Sequence, residues 1–334
     1  MVKQLEVQDT VGVTDHSKGR LVEIGALLVG IAAVACAAIF IKISTAEIGP
    51  IATISNRLWI ATIPFGLWVW VSQRRDANTA PVAPLTLDDW ALLAFAGVIG
   101  AVDLPMWAFS LTRTSVANAM VLSDMAPLFT TLGAWLLWRQ RFDGRFLLGL
   151  AVSFGGAIAI ALGDVQISSS QMLGDGLALL SALFLSAFLL TVENLRSRLS
   201  TPVILLCTST IGAVLTGAIA LQFEHQLFPI SGRGWAAVIG LALISQVLGQ
   251  GLITYSLNRL SSGVVALSYL LEPVLSALGA WVLFSETLSL FNLAAFVVVI
   301  VGIYMAISSQ SAVKEATAVG KAPGQSELVG SLKS

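Results

Sequence analysis

Residues 147–162 read LLGLAVSFGGAIAIAL, an uninterrupted apolar run in which Ser153 is the only polar side chain. A membrane β-strand would alternate apolar and polar side chains over about ten residues, and this run does not. A helix that crosses a lipid bilayer needs about 20 mostly apolar residues. The run therefore predicts a membrane-spanning helix and excludes a transmembrane barrel.

Runs of the same kind recur along the whole chain, with short connections between them. Short connections make consecutive helices antiparallel neighbours. We therefore predict an all-α polytopic membrane protein with ten transmembrane helices. The predicted spans are 21–42, 50–71, 90–111, 115–138, 145–163, 173–195, 201–222, 234–257, 262–284 and 290–308.

The composition agrees with a chain surrounded by lipid. Of the 334 residues, 56% are hydrophobic and only 11% are charged, whereas soluble domains carry about 25% charged residues. These values exclude a disordered protein, a nucleic-acid-binding protein and a secreted disulfide scaffold. Both cysteines fall in apolar runs and both histidines in polar segments. We therefore expect no metal site and no cofactor.

The positive charges predict the orientation of the chain. With the N-terminus in the cytoplasm, 14 Lys and Arg residues fall in inside segments, 3 in outside segments, and Arg57 lies within a span. Because Lys and Arg accumulate on the cytoplasmic side, we expect both termini inside, in the inner membrane of a bacterium. Residues 1–20 then form a cytoplasmic segment and residues 309–334 a disordered cytoplasmic tail.

The chain also repeats itself at an offset of 146 residues. Between residues 109 and 160, 13 of 52 positions are identical to their counterparts. The shared features are an S-L-x-R-x-S motif beginning at Ser110 and Ser256, a proline at 127 and 273, and the tetrapeptide LGAW beginning at Leu132 and Leu278. This offset aligns helices three to five with helices eight to ten.

Two halves of five helices each must enter the membrane from opposite sides, because five is an odd number. We therefore predict two inverted repeats, residues 21–163 and 173–308. Inverted repeats are typical of secondary transporters, in which the two halves can exchange conformations and alternately open a central site to each side.

The chain resembles the drug/metabolite transporter superfamily of the EamA type. The resemblance rests on residues 270–275 through 283–286, which are similar to the signature of the ninth helix, on residues 123–127 through 138–140, and on Asn56-Arg57-Leu58. The family often has Glu where this chain has Gln140. The resemblance implies a central cavity lined by helices one to four and six to nine, with helices five and ten as outer supports. It does not identify a substrate.

Ionisable residues inside membrane spans are costly, and they indicate functional sites. Arg57, Asp103, Asp124 and Glu272 lie well inside predicted spans. Asp124 and Glu272 are also close to Pro127 and Pro273, which we expect to be structural because a proline interrupts the hydrogen bonding of a helix. Freed backbone groups at mid-membrane are tolerated where they line a cavity, so we expect the substrate there.

Helical spacing extends this predicted site. Gln246 and Gln250 share a face of helix eight, and Trp107 shares a face of helix three with Asp103. The predicted substrate-binding residues are Asp103, Trp107, Asp124, Gln246, Gln250, Tyr269 and Glu272.

Several roles stay open for these residues. Arg57 could be a structural ion-pair partner, Glu272 could serve helix packing, and the glutamines could only join helices. If all three carboxylates ionise, they exceed Arg57 by two charges. We therefore expect Asp124 or Glu272 to take up a proton during transport. A cationic or zwitterionic substrate is the alternative explanation.

The sequence thus predicts a secondary-active transporter for a small polar or amphipathic metabolite, with an amino-acid-like export substrate as the first guess. Its expected partners are the substrate and the bilayer, and helices five and ten would be the surface of a homodimer. The alternatives are an uptake permease or exchanger for a nucleobase, vitamin or drug-like compound, a channel, and a membrane scaffold. A membrane enzyme is disfavoured because HExxH and GxSxG motifs are absent.

Overall fold

The computed structural model describes residues 21–76, 85–114, 119, 122–161, 172–275, 278 and 290–312. Within these ranges the chain forms helices and no strands. The helices are α1 (Leu21–Ser44), α2 (Pro50–Asp76), α3 (Leu87–Arg113), α4 (Ala126–Trp138), α5 (Gly144–Ala161), α6 (Met172–Arg196), α7 (Thr201–Phe223), α8 (Gly232–Ser256), α9 (Ser262–Leu275) and α10 (Leu290–Ile307). The predicted segment 1–20 lies outside the described residues.

Five of these helices, α1, α3, α6, α7 and α8, are long and apolar enough to cross a membrane. They coincide with five of the predicted spans. Shorter apolar helices include Ala126–Trp138 and Ser262–Leu275. The chain is therefore an all-helical integral membrane protein.

The helices pack in a regular pattern of pairs. α2 packs against α7, α4 against α9, and α5 against α10. α3 packs against α6 and α7, and α8 packs against α1 and α2. The largest buried cluster lies where α9 meets α1, α6 and α10, and residues 264–267 of α9 are fully buried.

Glycines allow the closest of these contacts. A Cβ atom on Gly149 of α5 would lie 2.6 Å from the carbonyl oxygen of Gly302 on α10. A Cβ atom on Gly30 of α1 would lie 3.0 Å from the carbonyl oxygen of Gly249 on α8. Small residues let membrane helices approach backbone to backbone, so these two crossings depend on glycine.

The two halves of the chain cap each other's helices at one end of the bundle, which we call the Glu47 end. There the Glu224 carboxylate accepts hydrogen bonds from the backbone N–H groups of Ile51 and Ala52, at 2.9 and 2.7 Å. In return, the Glu47 carboxylate accepts two 3.0 Å hydrogen bonds from the N–H groups of Ile230 and Ser231, just before α8. Carboxylates stabilise helix N-termini because the orphan N–H groups there need acceptors.

We expect the Glu47→Gln variant to lose a pH-dependent part of its thermal stability. Hydrogen bonds from the hydroxyl and N–H of Ser231, and then from Ile230, hold the pKa of Glu47 below its usual value. A carboxylate with a lowered pKa stabilises the folded state above its unfolded-state pKa of about 4.3. This contribution disappears as the pH falls through the lower pKa of the folded state.

Thermal melts of the purified protein from pH 7 to pH 3.5 test this expectation. The gap in melting temperature between the natural chain and Glu47→Gln should be full at pH 7 and shrink in the most acidic samples. Asp88→Asn removes an exposed carboxylate at the start of α3 and serves as the control. A gap that does not depend on pH would contradict the assignment.

The opposite end of the bundle, which we call the Glu23 end, gathers the start of α1, the end of α6 and the α8–α9 connection. Residues 309–312, which we expected to belong to a disordered tail, are instead part of this end. The N–H of Ser261 donates to the carbonyl of Ala312 at 3.0 Å, and the Ser311 hydroxyl donates to Asp143 at 2.7 Å. The rest of the predicted tail, from residue 313, lies outside the described residues.

Candidate functional site

Arg57 lies in the interior of the bundle on α2 and is only 3% exposed. Its Nε donates a 2.8 Å hydrogen bond to Oε1 of Gln246 on α8. The amide nitrogen of Gln246 in turn donates to the hydroxyl of Ser209 on α7, at 3.4 Å. A polar chain thus crosses from α2 through α8 to α7.

The middle of α8, Leu241–Gln250, is a π-helix that carries both predicted glutamines. Gln246 reaches Arg57, and the amide of Gln250 donates to the hydroxyl of Tyr269 on α9, at 3.4 Å. π-Helical turns are rare and frequently occur at functional sites. The irregular backbone of α8 therefore coincides with the residues that the sequence assigned to the site.

Helices α4 and α9 are both interrupted just before their repeated prolines. Pro127 lies in the first turn of α4, and Asp124 and Met125 form a turn that precedes the helix. The sequence predicted a span over 115–138 with Asp124 near its middle, beside a break at the proline, and the described residues 122–138 contain this break. A proline has no N–H to donate and clashes with the carbonyl four residues earlier, which explains the break.

The same interruption occurs in α9. There the N–H groups of Tyr269, Leu270 and Glu272 bond to carbonyls three residues back, at 3.1, 3.1 and 2.8 Å. Such bonds tighten the helix into a turn immediately before Pro273. Asp124, just before α4, and Glu272, in α9, therefore both lie at a helix break that precedes a proline.

Asp103 enters the site from α3. Its Oδ1 accepts a 2.5 Å hydrogen bond from the hydroxyl of Ser181 on α6. At 1.5 Å per residue, Asp103 lies about 15 Å from the end of α3 at Arg113. Glu272 lies about as far from the start of α9 at Ser262. Both carboxylates are thus near the middle of a hydrocarbon core about 30 Å thick.

Electrostatic interactions connect these groups across helices. Glu272 interacts with Arg57 and Asp124, and Tyr269 interacts with Arg57, Asp103 and Glu272. We call Arg57, Asp103, Asp124, Gln246, Gln250, Tyr269 and Glu272 the central cluster. Five of its members, all except Arg57 and Gln246, keep part of their surface accessible. These five side chains are therefore not completely enclosed by the bundle.

The structure brings together six of the seven predicted substrate-binding residues, together with Arg57. Trp107, the seventh, lies half-buried on α3, one turn beyond Asp103. The nearest partner of Arg57 among the described residues is an amide, and its interaction with the Glu272 carboxylate acts over a longer distance. Among these residues, no three His, Cys, Asp or Glu side chains come together as a metal site requires.

Two serines at this site were missed by sequence reasoning. Ser181 and Ser209 are buried on α6 and α7 and bind Asp103 and Gln246. In the sequence, Ser181 is a single hydroxyl in an apolar run and Ser209 lies between two threonines, and most hydroxyls in such helices bond their own backbone. Thr208, next to Ser209, does so by donating to Ile204 O at 2.8 Å.

The known proteins that this chain matches in sequence are transporters. A sequence model of the EamA-like transporter family matches residues 22–162 and 172–308. A pseudopaline exporter of Pseudomonas aeruginosa is 26% identical over 210 residues, which cover 63% of this chain and 72% of that protein. An uncharacterized transporter of Archaeoglobus fulgidus is 24% identical over 277 residues, or 81% of this chain and 92% of that one.

A solved crystal structure has the same fold. It superposes with a TM-score of 0.70 at 19% sequence identity, covering 87% of this chain and 96% of the other. At this identity the likeness concerns the fold alone.

Proposed function

Because this chain belongs to the EamA-like transporter family, we propose that it exports a small, polar, amino-acid-like metabolite by alternating access, driven by protons. The observation that supports the proposal is the central cluster, which brings one cation and three carboxylates together far from the ends of the helices. Charged groups at that depth cost free energy, so they usually mark a substrate or ion pathway.

The ten helices act as two inverted repeats of five. A two-fold axis in the membrane plane that exchanges each helix with the one five positions later would relate several of the observed helix pairs to one another. It leaves the pairs α2–α7, α4–α9 and α5–α10 unchanged and turns α3–α6 into α8–α1. The helix interruption before Pro127 would be related to the one before Pro273 by the same axis. Alternating access would exchange the conformations of these halves.

The Glu23 end faces the cytoplasm of a bacterium, with both chain termini on that side. Its described positive side chains are Arg74, Arg139, Arg141, Arg145, Arg196, Arg198 and Arg259. The Glu47 end carries Lys42, Arg113 and Arg233. This excess supports the orientation because positive residues accumulate on the cytoplasmic side.

A dipolar substrate fits the distribution of charge. Arg57 uses its Nε for Gln246, which leaves four further N–H donors of the guanidinium for a substrate carboxylate. Asp103, Asp124 and Glu272 provide acceptors for an amine. The pseudopaline exporter among the relatives supports export as the direction.

Proton coupling follows from the same charges. With three carboxylates and one arginine, the empty site carries two excess negative charges if every group is ionised. Protonation of Asp124 or Glu272 removes part of this excess. The amine of a dipolar substrate pairs with the same carboxylates, so proton and substrate compete for them. This competition couples the outward movement of substrate to the inward movement of protons.

A thermal-shift screen of the purified protein against the proteinogenic amino acids, at pH 5.5 and 7.5, tests the proposal. A ligand that binds only the folded state stabilises it by about 2.7 kcal/mol at 100 times its Kd. We expect a subset of amino acids to raise the melting temperature, and more strongly at pH 7.5. Failure of every amino acid to stabilise the protein at either pH would reject an amino-acid-like substrate.

We expect Asp124→Asn to reduce proton-driven flux of a stabilising amino acid at least tenfold in proteoliposomes. The amide keeps the shape of the side chain but cannot take up and release a proton. A pH-sensitive dye inside the vesicles reports the coupled proton movement. Asp88→Asn, at an exposed position, is the matched control. Undiminished proton-coupled flux in Asp124→Asn would remove Asp124 from the coupling step.

A further inference from the structure

A second group of ionisable side chains lies away from the central cluster, at the Glu23 end of the bundle. Glu23 of α1 is 3% exposed, and its Oε1 lies 3.4 Å from Nε of Arg259, which follows α8. Glu23 also interacts electrostatically with Arg196 at the end of α6. A buried carboxylate of the first half therefore interacts with two guanidinium groups of the second half.

A second connection joins α6 to α9 at the same end. Oε2 of Glu193 accepts a 2.9 Å hydrogen bond from the N–H of Ser262, the first residue of α9. A helix N-terminus favours a negative charge because its first N–H groups lack partners within the helix. Together, Glu193 and Arg196 connect the last turn of α6 to two other helices, α9 and α1.

These contacts lie where α1 and α6 meet the ends of α8 and α9. α6 contacts α8 through Gly251–Ser256 and α9 through Ser262–Ser268, which are the parts of these helices nearest the Glu23 end. Elsewhere α6 packs against α3 and α4. Separation of α1 and α6 from α8 and α9 would therefore have to break the ion pair of Glu23 with Arg259 and the hydrogen bond from Ser262 to Glu193.

The closed arrangement leaves some of its own polar atoms unsatisfied. Oε2 of Glu23, Nε of Arg196 and Oγ of Ser262 are buried without a hydrogen-bond partner among the described residues. Buried polar atoms without partners cost free energy that water would recover. These unsatisfied atoms therefore lower the stability of the closed arrangement, and hydration on opening would recover this free energy.

We infer that Glu23, Glu193, Arg196 and Arg259 form a charge lock that closes the Glu23 end of the bundle and opens when this end admits water. The lock rests on the proposed function only because the opening of this end is one half of alternating access. Its central element is Glu23, because both Arg259 and Arg196 interact with its carboxylate.

The test measures how fast a buried reporter cysteine is labelled. In a background with Cys36→Ser and Cys207→Ser, Val192→Cys places a thiol one turn before Arg196, at a position that is 0% exposed. The purified protein in detergent is treated with a bulky, water-soluble maleimide. We expect slow labelling in this background and at least tenfold faster labelling after Glu23→Gln.

A second ion pair at the same end provides the matched control. Nη1 of Arg198 lies 3.6 Å from Oδ1 of Asp89, and the Arg198 side chain is 51% exposed. Its length and exposure resemble those of the Glu23 pair, but it joins the chain just after α6 to α3 and not to α8 or α9, so Arg198→Gln should leave the labelling rate within twofold. An unchanged rate in Glu23→Gln, or an equal increase in Arg198→Gln, would overturn the lock.

Arg196→Gln decides the outcome if Glu23→Gln does not yield folded protein by size-exclusion chromatography. It removes the charge that α6 contributes and should also accelerate labelling at least tenfold, whereas an unchanged rate would overturn the lock. The labelling rate is read without substrate. Absent flux with lock-dependent labelling would therefore contradict only the proposed transport, and normal flux with unchanged labelling only the lock.

Discussion

Replacing Gly302 by leucine lowers the melting temperature of the protein by at least about 6 °C, which corresponds to about 3 kcal/mol at about 2 °C per kcal/mol. A Cβ atom at this position of α10 would collide with the backbone nitrogen and hydroxyl of Ser153 and would lie 2.7 Å from the carbonyl oxygen of Gly149. Backbone atoms cannot swing aside as a flexible side chain can. The two helices must therefore separate, and they lose the contacts along their whole crossing.

The control for this prediction lies on the same helix pair. Gly155 of α5 has no atom within 4 Å of its Cβ position, so Gly155→Leu adds the same side chain without a collision. A melting temperature within about 2 °C of the natural chain is expected for Gly155→Leu. Equal losses in the two variants would show that the close contact of α5 and α10 does not limit stability.

The Arg57→Met variant should be the most damaging change in the central cluster, with a loss of about 3 kcal/mol of stability and of measurable flux. Methionine fills similar space but leaves the buried oxygen of Gln246 without its charged donor and Glu272 without its nearby cation. Thermal melts report the stability, and counterflow of a stabilising amino acid in proteoliposomes reports the transport.

A double variant separates the structural and the substrate roles of Arg57. If Arg57 balances Glu272, then Glu272→Gln in the Arg57→Met background should recover at least about 1 kcal/mol of the lost stability. Flux should stay absent because both groups are proposed substrate contacts. If the loss caused by Arg57→Met is the same with Glu or Gln at 272, the two residues are not coupled.

The helices could be predicted from the sequence because lipid imposes a simple rule. Every backbone group in the hydrocarbon must be bonded within its own segment, so a long apolar run such as 147–162 has few alternatives to a helix. The five long spans were predicted within a few residues of their ends. The effect of a given proline on its helix was harder to predict. Pro64 lies inside α2 without ending it, whereas the chain forms a turn just before Pro127, which lies in the first turn of α4.

The residue types of the site were predictable, but their partners were not. An aspartate in an apolar span is conspicuous, and Asp103 and Asp124 could be selected on that ground. Which hydroxyl or amide meets each charge depends on how helices far apart in the chain cross. Ser181 lies 78 residues from Asp103, and Gln246 lies 189 residues from Arg57. No local pattern in the sequence encodes these pairings.

The mutual capping at the Glu47 end also sets an order of events during synthesis. The N–H of Ile51 can find its acceptor only after the ribosome has added Glu224, which lies 173 residues later in the chain. At about 5–20 residues per second, a ribosome needs about 10–35 s to reach it. During that interval the start of α2 must be satisfied by water or lipid headgroups at the membrane surface. The N-terminus of α2 in the first half thus stays uncapped until the second half has been synthesised.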